Sequence, residues 1–245
     1  MIPDRAFSIW IGDTMPYILQ LCLKSFIVLH PHIDFTLYVS NPDLEVLPCI
    51  KKQYLDMHIG EGEDQDDIGV KAEVTAIELA SDYYRLELLK DGGIYIDTDA
   101  FFVKPITELQ KLDKDIIVSY ILPEKTTHAV ILCSGKNVES FFNALKRKYS
   151  KNKNFHRSLS LWRHYLDGYA SHPKAKVKYI DYEHGFFYPK WDSFDELMTE
   201  NPEYDCYAHH LFYSCADGKR LVEHLENRNN CNCYICRKFK EVEER

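Results

Sequence analysis

The stretch from Thr75 to Pro105, TAIELASDYYRLELLKDGGIYIDTDAFFVKP, decides how the rest of this sequence is read. Ile77, Ala80, Tyr84 and Leu88 recur at helical spacing, and Ala76, Leu79, Tyr83 and Leu86 fill a second side. That pattern predicts a helix largely wrapped by protein. Glu78, Asp82 and Arg85 form one narrow polar stripe at i, i+4 and i+7, and charge on a mostly buried helix must face partners or a water-filled cleft. Lys90, Asp91, Gly92 and Gly93 end the helix, because glycine accepts the left-handed backbone of a C-cap. Ile94, Tyr95 and Ile96 then predict a strand. Asp97 and Asp99 leave it on one side, about 6–7 Å apart along the backbone at ~3.3 Å per residue. Two carboxylates so placed can share a hard divalent cation with diphosphate oxygens, a role that suits Mg2+ and Mn2+.

Ser81, Asp82 and Arg85 followed by Gly92, Gly93, Tyr95, Asp97 and Asp99 at these spacings resemble the core of the DXD sugar-transferring enzymes of glycosyltransferase family 32. That group is related to the large clostridial toxin glucosyltransferases. A bare D-x-D carries little information, whereas the composite is specific. The resemblance implies an α/β fold: a single glycosyltransferase-A-like domain with a mixed, mostly parallel central sheet. It implies that Asp99 binds Mn2+ or Mg2+ directly, that Asp97 contacts ribose or donor sugar and holds the metal through water, and that Asp82 and Arg85 keep donor hydroxyls in register. The implied reaction moves a hexose or pentose, with retention, from a nucleotide diphosphate sugar to a hydroxyl of a glycan or other acceptor. A UDP-sugar is the expected donor. No residue declares itself a nucleophile, which suits a front-face mechanism in which the leaving phosphate helps deprotonate the acceptor.

Other readings compete. Asp82 and Arg85 can be a surface ion pair at i, i+3 and the aspartates a strand-end turn, but the apolar remainder of the helix argues against both. An inactive nucleotide-sugar-binding homologue keeps Trp10, Asp82 and Arg85. A metal-dependent phosphohydrolase also begins with an apolar strand and D-x-D, but Phe101 stands where that pattern needs a hydroxyl or β-branched residue.

Outward from this core, residues 7–11 predict a first buried strand ending at Gly12, and Ile9-Trp10-Ile11-Gly12 resembles the family's nucleotide-binding motif, with Trp10 stacking on the base. A helix from Pro16 to His30 and a strand from Asp34 to Ser40 follow, closed by a turn at Asn41-Pro42. This alternation starts a parallel, nucleotide-binding half. The acidic segment Gly60 to Asp67 lacks the spacing of a calcium loop and reads as solvated. Strands are expected at Ile116–Ile121, His128–Cys133 and Lys176–Asp181, and helices up to Lys148 and from Phe155 to Tyr169. Phe187-Tyr188-Pro189 matches a second family landmark.

Tyr207-Ala208-His209-His210 with Ser214 resembles the third landmark, in which the C-terminal segment closes over the diphosphate and supplies a metal ligand. This sequence has one residue fewer before the histidines, and Leu211 and Cys215 replace tryptophans. His209 and His210 both stand as the ligand, and Ser214 as a nucleotide contact. Beyond a helix at Leu221–Glu226, residues 228–245 read as a separate charged tail after a catalytic domain of residues 1–227. The tail carries Cys231, Cys233 and Cys236. Zinc would need a fourth ligand from Cys206, Cys215 or His224, and without a second C-x-x-C the expectation is that none binds.

Composition narrows the partners. A net charge of −8 over 245 residues excludes a nucleic-acid ligand, and the basic cluster from Lys146 to Lys153 reads as a solvated helix end. The 17 tyrosines, 13 phenylalanines and 3 tryptophans suit a carbohydrate cleft. No signal-peptide pattern is visible, and the apolar run from Tyr17 to Leu29 is broken by Gln20 and Lys24. No transmembrane segment is expected. Eight cysteines point to a reducing compartment. The expected location is the cytoplasm of a bacterium or virus-infected cell, with a trimmed luminal protein as the alternative.

Overall fold

The computed structural model describes residues 1–57, 71–122, 125–135, 138–149, 164–180, 186, 194–199 and 205–245. β1 (Arg5–Trp10) runs beside β2 (Asp34–Val39) in parallel register, Arg5 opposite Asp34 and Trp10 opposite Val39. Between them lies α1 (Tyr17–Leu29), entered through Pro16 at φ −52°, where the missing proline N–H costs no helical hydrogen bond. β3 (Lys52–Tyr54) extends β2 as an exposed edge, and its Lys-Gln-Tyr sequence has no alternation by which it could be predicted. α2 (Lys71–Leu89) then returns the chain to the other side of β1, where β4 (Gly93–Ile96) pairs with it in parallel.

After β5 (Ala100–Phe102) and the short α3 (Thr107–Gln110), β6 (Ile116–Leu122) and β7 (Lys125–Cys133) form an antiparallel hairpin. β7 pairs with β4 in the antiparallel sense, and β8 (Val177–Ile180) adds to β6 in parallel. The strand order is β3-β2-β1-β4-β7-β6-β8. It matches the expected mixed, mostly parallel sheet. The order reverses between β1 and β4, and the carboxyl ends of strands at such a switch point form the usual ligand crevice of an open α/β sheet.

Each face of the sheet is covered. On one, Ala6, Leu37, Ile94 and Ile96 join α1 residues such as Leu19 and Phe26. On the other, Phe7, Ile9, Tyr95 and Val118 meet Leu86 and Leu89 of α2 and Phe142 and Leu145 of α4 (Glu139–Tyr149). α5, residues 164–170, contributes Leu166 to the same side. The apolar wrapping of α2 is narrower than predicted: Ala80, Leu86 and Leu89 are buried, while Ile77 is exposed. α2 ends as expected in Gly92, at φ +81°, where an added Cβ would lie 2.8 Å from the Gly135 nitrogen.

β5 leaves the main sheet and pairs with β9 (Ala208–His210), Ala100 opposite His210 and Phe101 opposite His209. α6 (Ala216–Glu226) and α7 (Tyr234–Glu243) complete the chain. The boundary expected at residue 227 does not coincide with a break in packing. Ile235 and Phe239 are fully buried in the α1-side core, Phe239 stacks on Phe101 with centroids 4.1 Å apart, and Lys24 Nζ donates to the Glu243 carbonyl at 3.0 Å. Ile235, Phe239 and Val242 stand at i, i+4 and i+7, an apolar stripe that the intervening charges conceal in a compositional reading. Residues 60–67 and Phe187-Tyr188-Pro189 lie outside the described residues, as does the expected helix before residue 164 and the side chain of Glu78. No helix among the described residues is long and apolar enough to cross a membrane.

Candidate active site

Alternation along β4 builds the first half of the site. Tyr95 faces α2, so Asp97, two residues on, emerges on that side too. The Tyr95 hydroxyl donates to Asp97 Oδ1 at 2.5 Å. Arg85 reaches the same oxygen from α2 at 3.1 Å, contacts Tyr95 Oη at 3.0 Å and Asp82 Oδ1 at 3.3 Å, and lies 4.0 Å above the Tyr95 ring. Asp82 and Arg85 are 6% and 7% exposed, so this is a buried ionic network rather than a solvated helix face. A guanidinium suits it because one planar group serves two carboxylates and an aromatic face together.

The second half comes from the β5–β9 ribbon. Pairing of Ala100 with His210 brings the imidazole beside Asp99, with Nε2 3.0 Å from Oδ1 and 3.9 Å from Asp97 Oδ2. The Tyr213 backbone N–H donates to Asp99 Oδ2 at 2.8 Å. The turn that aims this N–H holds Phe212 at φ +50°, a conformation costly for a bulky residue, with its ring 4.0 Å from that of His210. Gly218 permits the turn to lie against α6, since a Cβ there would fall 2.0 Å from the Phe212 carbonyl oxygen.

The electrostatics of the aspartates diverge. Burial raises the Asp97 pKa, opposed by Arg85, while Asp99 adds to the rise. Burial would also raise Asp99, but the charge and hydrogen bond of His210 and the Tyr213 N–H hold it below the ordinary carboxylate value. His210 is lowered by burial yet ends raised, through Asp99 and then Asp97. Ligand atoms of Asp97, Asp99 and His210 lie within 4.8 Å of one another, and the donor set of two carboxylates and an imidazole fits Mn2+ or Mg2+.

The expected site residues therefore divide. Asp82, Arg85, Asp97, Asp99 and His210 converge, and Arg85 touches Asp97 directly, which joins the helix stripe to the strand-end aspartates. His209 does not join them. Adjacent strand residues point to opposite faces, and its Nε2 lies 3.1 Å from the Tyr234 hydroxyl and its Nδ1 3.8 Å from Cys206 Sγ. Burial depresses the His209 pKa to about 3, which makes it a neutral packing residue. Trp10, at the carboxyl end of β1, is half-buried with Nε1 donating to the Thr14 carbonyl at 3.1 Å. Ile9 is buried in the α2-side core and offers the crevice no side chain, whereas Ser214 is exposed in the turn after Tyr213. Tyr95, Phe212 and Tyr213 had no assigned role; the i, i+2 relation of Tyr95 to Asp97 was the available signal.

This arrangement, two acids past the end of a strand beside the switch point of a mixed sheet, is that of a glycosyltransferase-A-type fold. Residues 19–120 match the family described as "Glycosyltransferase sugar-binding region containing DXD motif". Among solved structures it is similar to the galactosyltransferase LgtC in complex with donor and acceptor sugar analogues, with 12% identity, a TM-score of 0.55 and coverage of 98% of this chain and 95% of that one. It is also similar to a glycosyltransferase involved in glycosylation of the major capsid of PBCV-1. There the identity is 12%, the TM-score 0.54, and the coverage 91% of this chain and 98% of that one. No curated protein matches the sequence significantly.

Proposed function

We propose that this chain is a metal-dependent, retaining glycosyltransferase that takes a sugar from a nucleotide diphosphate sugar, foremost a UDP-sugar, and delivers it to a hydroxyl of a glycan or other acceptor. The observation that carries this reading is the convergence of Asp97, Asp99 and His210 at the switch point, with Arg85 bridging Asp82 and Asp97. The family match over residues 19–120 supports it, as does the fold shared with a galactosyltransferase crystallised with donor and acceptor analogues.

Asp99 and His210, with Asp97 alongside, would hold a Mn2+ or Mg2+ ion, which when bound would supply positive charge against the departing diphosphate. Arg85 pairs with both Asp82 and Asp97 and orients them, so that their oxygens accept hydrogen bonds from donor hydroxyls. Trp10 offers an aromatic face to the base at the end of β1, and Ser214 lies near the diphosphate. Because Asp82 and Asp97 are both tied to Arg85, neither is poised as a nucleophile. The acceptor hydroxyl then gives its proton to a leaving diphosphate oxygen, on the face from which that group departs.

The test is a panel of nucleotide sugars with Mn2+, scored for nucleotide diphosphate release and, by NMR, for the anomer formed. Release from a UDP-sugar with retained configuration is expected. An inverted product refutes the retaining assignment, and donor binding without release identifies an inactive homologue.

A further inference from the structure

We propose that His224, Cys231, Cys233 and Cys236 form a zinc site that pins α7 to α6. The sequence reading expected no metal in this segment, and it left Cys206, Cys215 and His224 open as a fourth ligand. The fold separates them. Cys206 lies against His209 and Cys215 caps α6, accepting from the Gly218 N–H at 3.4 Å, while His224 in the last turn of α6 turns to the three tail cysteines.

All four ligand atoms lie within 4.8 Å of one another, and all three thiols are free of disulfides. His224 Nε2 is 3.6 Å from Cys231 Sγ, 3.7 Å from Cys233 Sγ and 3.4 Å from Cys236 Sγ. With Zn–S near ~2.3 Å and Zn–N near ~2.05 Å, a tetrahedral site has N-to-S edges of about 3.6 Å. The observed edges surround that value. An imidazole nitrogen has one proton or one lone pair, so it can hydrogen bond with only one of three sulfurs at that range. A shared central cation uses all of them.

The surroundings suit thiolates. The Cys233 backbone N–H points at Cys231 Sγ at 3.4 Å, and Lys240 Nζ sits 3.0 Å from the Cys231 carbonyl, its charge opposing the single net negative charge of three thiolates and an imidazole on Zn2+. Soft sulfur ligands select zinc over the Mn2+ or Mg2+ suited to the aspartates, and four protein ligands make a closed, structural site. Its position gives it a task. Tyr234, beside Cys233, bonds His209 of β9, and Phe239 of α7 stacks on Phe101 of β5. These strands bear His210 and follow Asp99, so zinc at the α6–α7 junction braces the back of the sugar-transfer cluster.

Metal analysis of the full chain tests the proposal. About one equivalent of zinc is expected in the wild type and in Asp99→Asn, and loss of it in Cys233→Ser and Cys236→Ser. Chelation should lower the melting temperature, with recovery on adding Zn2+ but not Mn2+. Cobalt exchanged into the wild type should show intense tetrahedral visible bands and a thiolate-to-cobalt charge-transfer band, which decides the matter even where the cysteine variants fold poorly. A metal-free wild type, iron in place of zinc, zinc that survives both cysteine substitutions or departs with Asp99→Asn, or a cobalt spectrum without the thiolate band would overturn it.

Discussion

The Asp97, Asp99 and His210 cluster and the His224, Cys231, Cys233 and Cys236 cluster each gather around one imidazole, yet they offer opposite chemistry. The first is made of oxygen donors at the carboxyl edge of the sheet, is anchored by Arg85 and the Tyr213 N–H, and has room in its coordination for substrate phosphate. The second is sulfur-rich, has its full set of protein ligands, and lies between two helices. One suits a cation that works with substrate, the other a cation that holds the fold. Adjacent residues of β9 lie between them: His210 faces the acids, and His209, held neutral by burial, faces Tyr234 of α7.

Arg85→Ala should separate the two most strongly. It leaves Asp82 buried and Asp97 half-buried without their cation, and breaking a buried ion pair from one side costs about 3–5 kcal/mol. The melting temperature and turnover should both fall, with Mn2+ affinity shifted because Arg85 touches Asp97, while zinc content stays unchanged. Zinc loss in this variant would show that the clusters are not independent, and a melting temperature equal to wild type would show that the Arg85 network does not hold the fold.

A third buried histidine is a control with neither acid nor thiol. His30 Nδ1 lies 2.8 Å from the Phe26 carbonyl, and Nε2 accepts from the Ile106 N–H at 2.8 Å, so both nitrogens are used by the neutral ring. Burial lowers its pKa from 6.5 to about 4. The unfolded chain therefore takes up the proton first: His30 contributes fully above 6.5, and the contribution drains as pH falls toward 4. The loss integrates to about 3 kcal/mol. Urea unfolding of wild type and His30→Gln across this window should show the slope flattened in the variant. An unchanged slope would move the acid sensitivity to the metal clusters.

The smallest effect belongs to Trp10. Its replacement by Ala should weaken UDP binding by about 1–3 kcal/mol, on the scale of base–aromatic stacking, and leave the fluorescence of the remaining tryptophans insensitive to UDP. Unaltered affinity would mean that the half-buried indole, bonded to Thr14, only packs.

Local geometry made much of this legible in advance. The α2 periodicity, the Gly92 turn and the parity of Tyr95 and Asp97 are properties of neighbouring residues, and the strands and helices near them formed close to their expected bounds. Long-range pairing was not legible. The contact of Arg85 with Asp97 depends on how β4 packs against α2, and the choice of His210 over His209 depends on the register of β9 against β5. The packing of the tail was misjudged for a similar reason: its charges advertise solvent, while three apolar residues at helical spacing seat it in the core, and the histidine that its cysteines meet lies on a different helix.

The central claim is that Asp97, Asp99 and His210 hold a divalent cation that in turn holds a nucleotide diphosphate. Calorimetric titration of UDP into the wild type and Asp99→Asn, with and without Mn2+, tests it most directly. The account predicts strong binding in the wild type only with Mn2+, and weak binding in Asp99→Asn that Mn2+ restores only in part. Equal UDP affinity in the two proteins, indifferent to Mn2+, would contradict it.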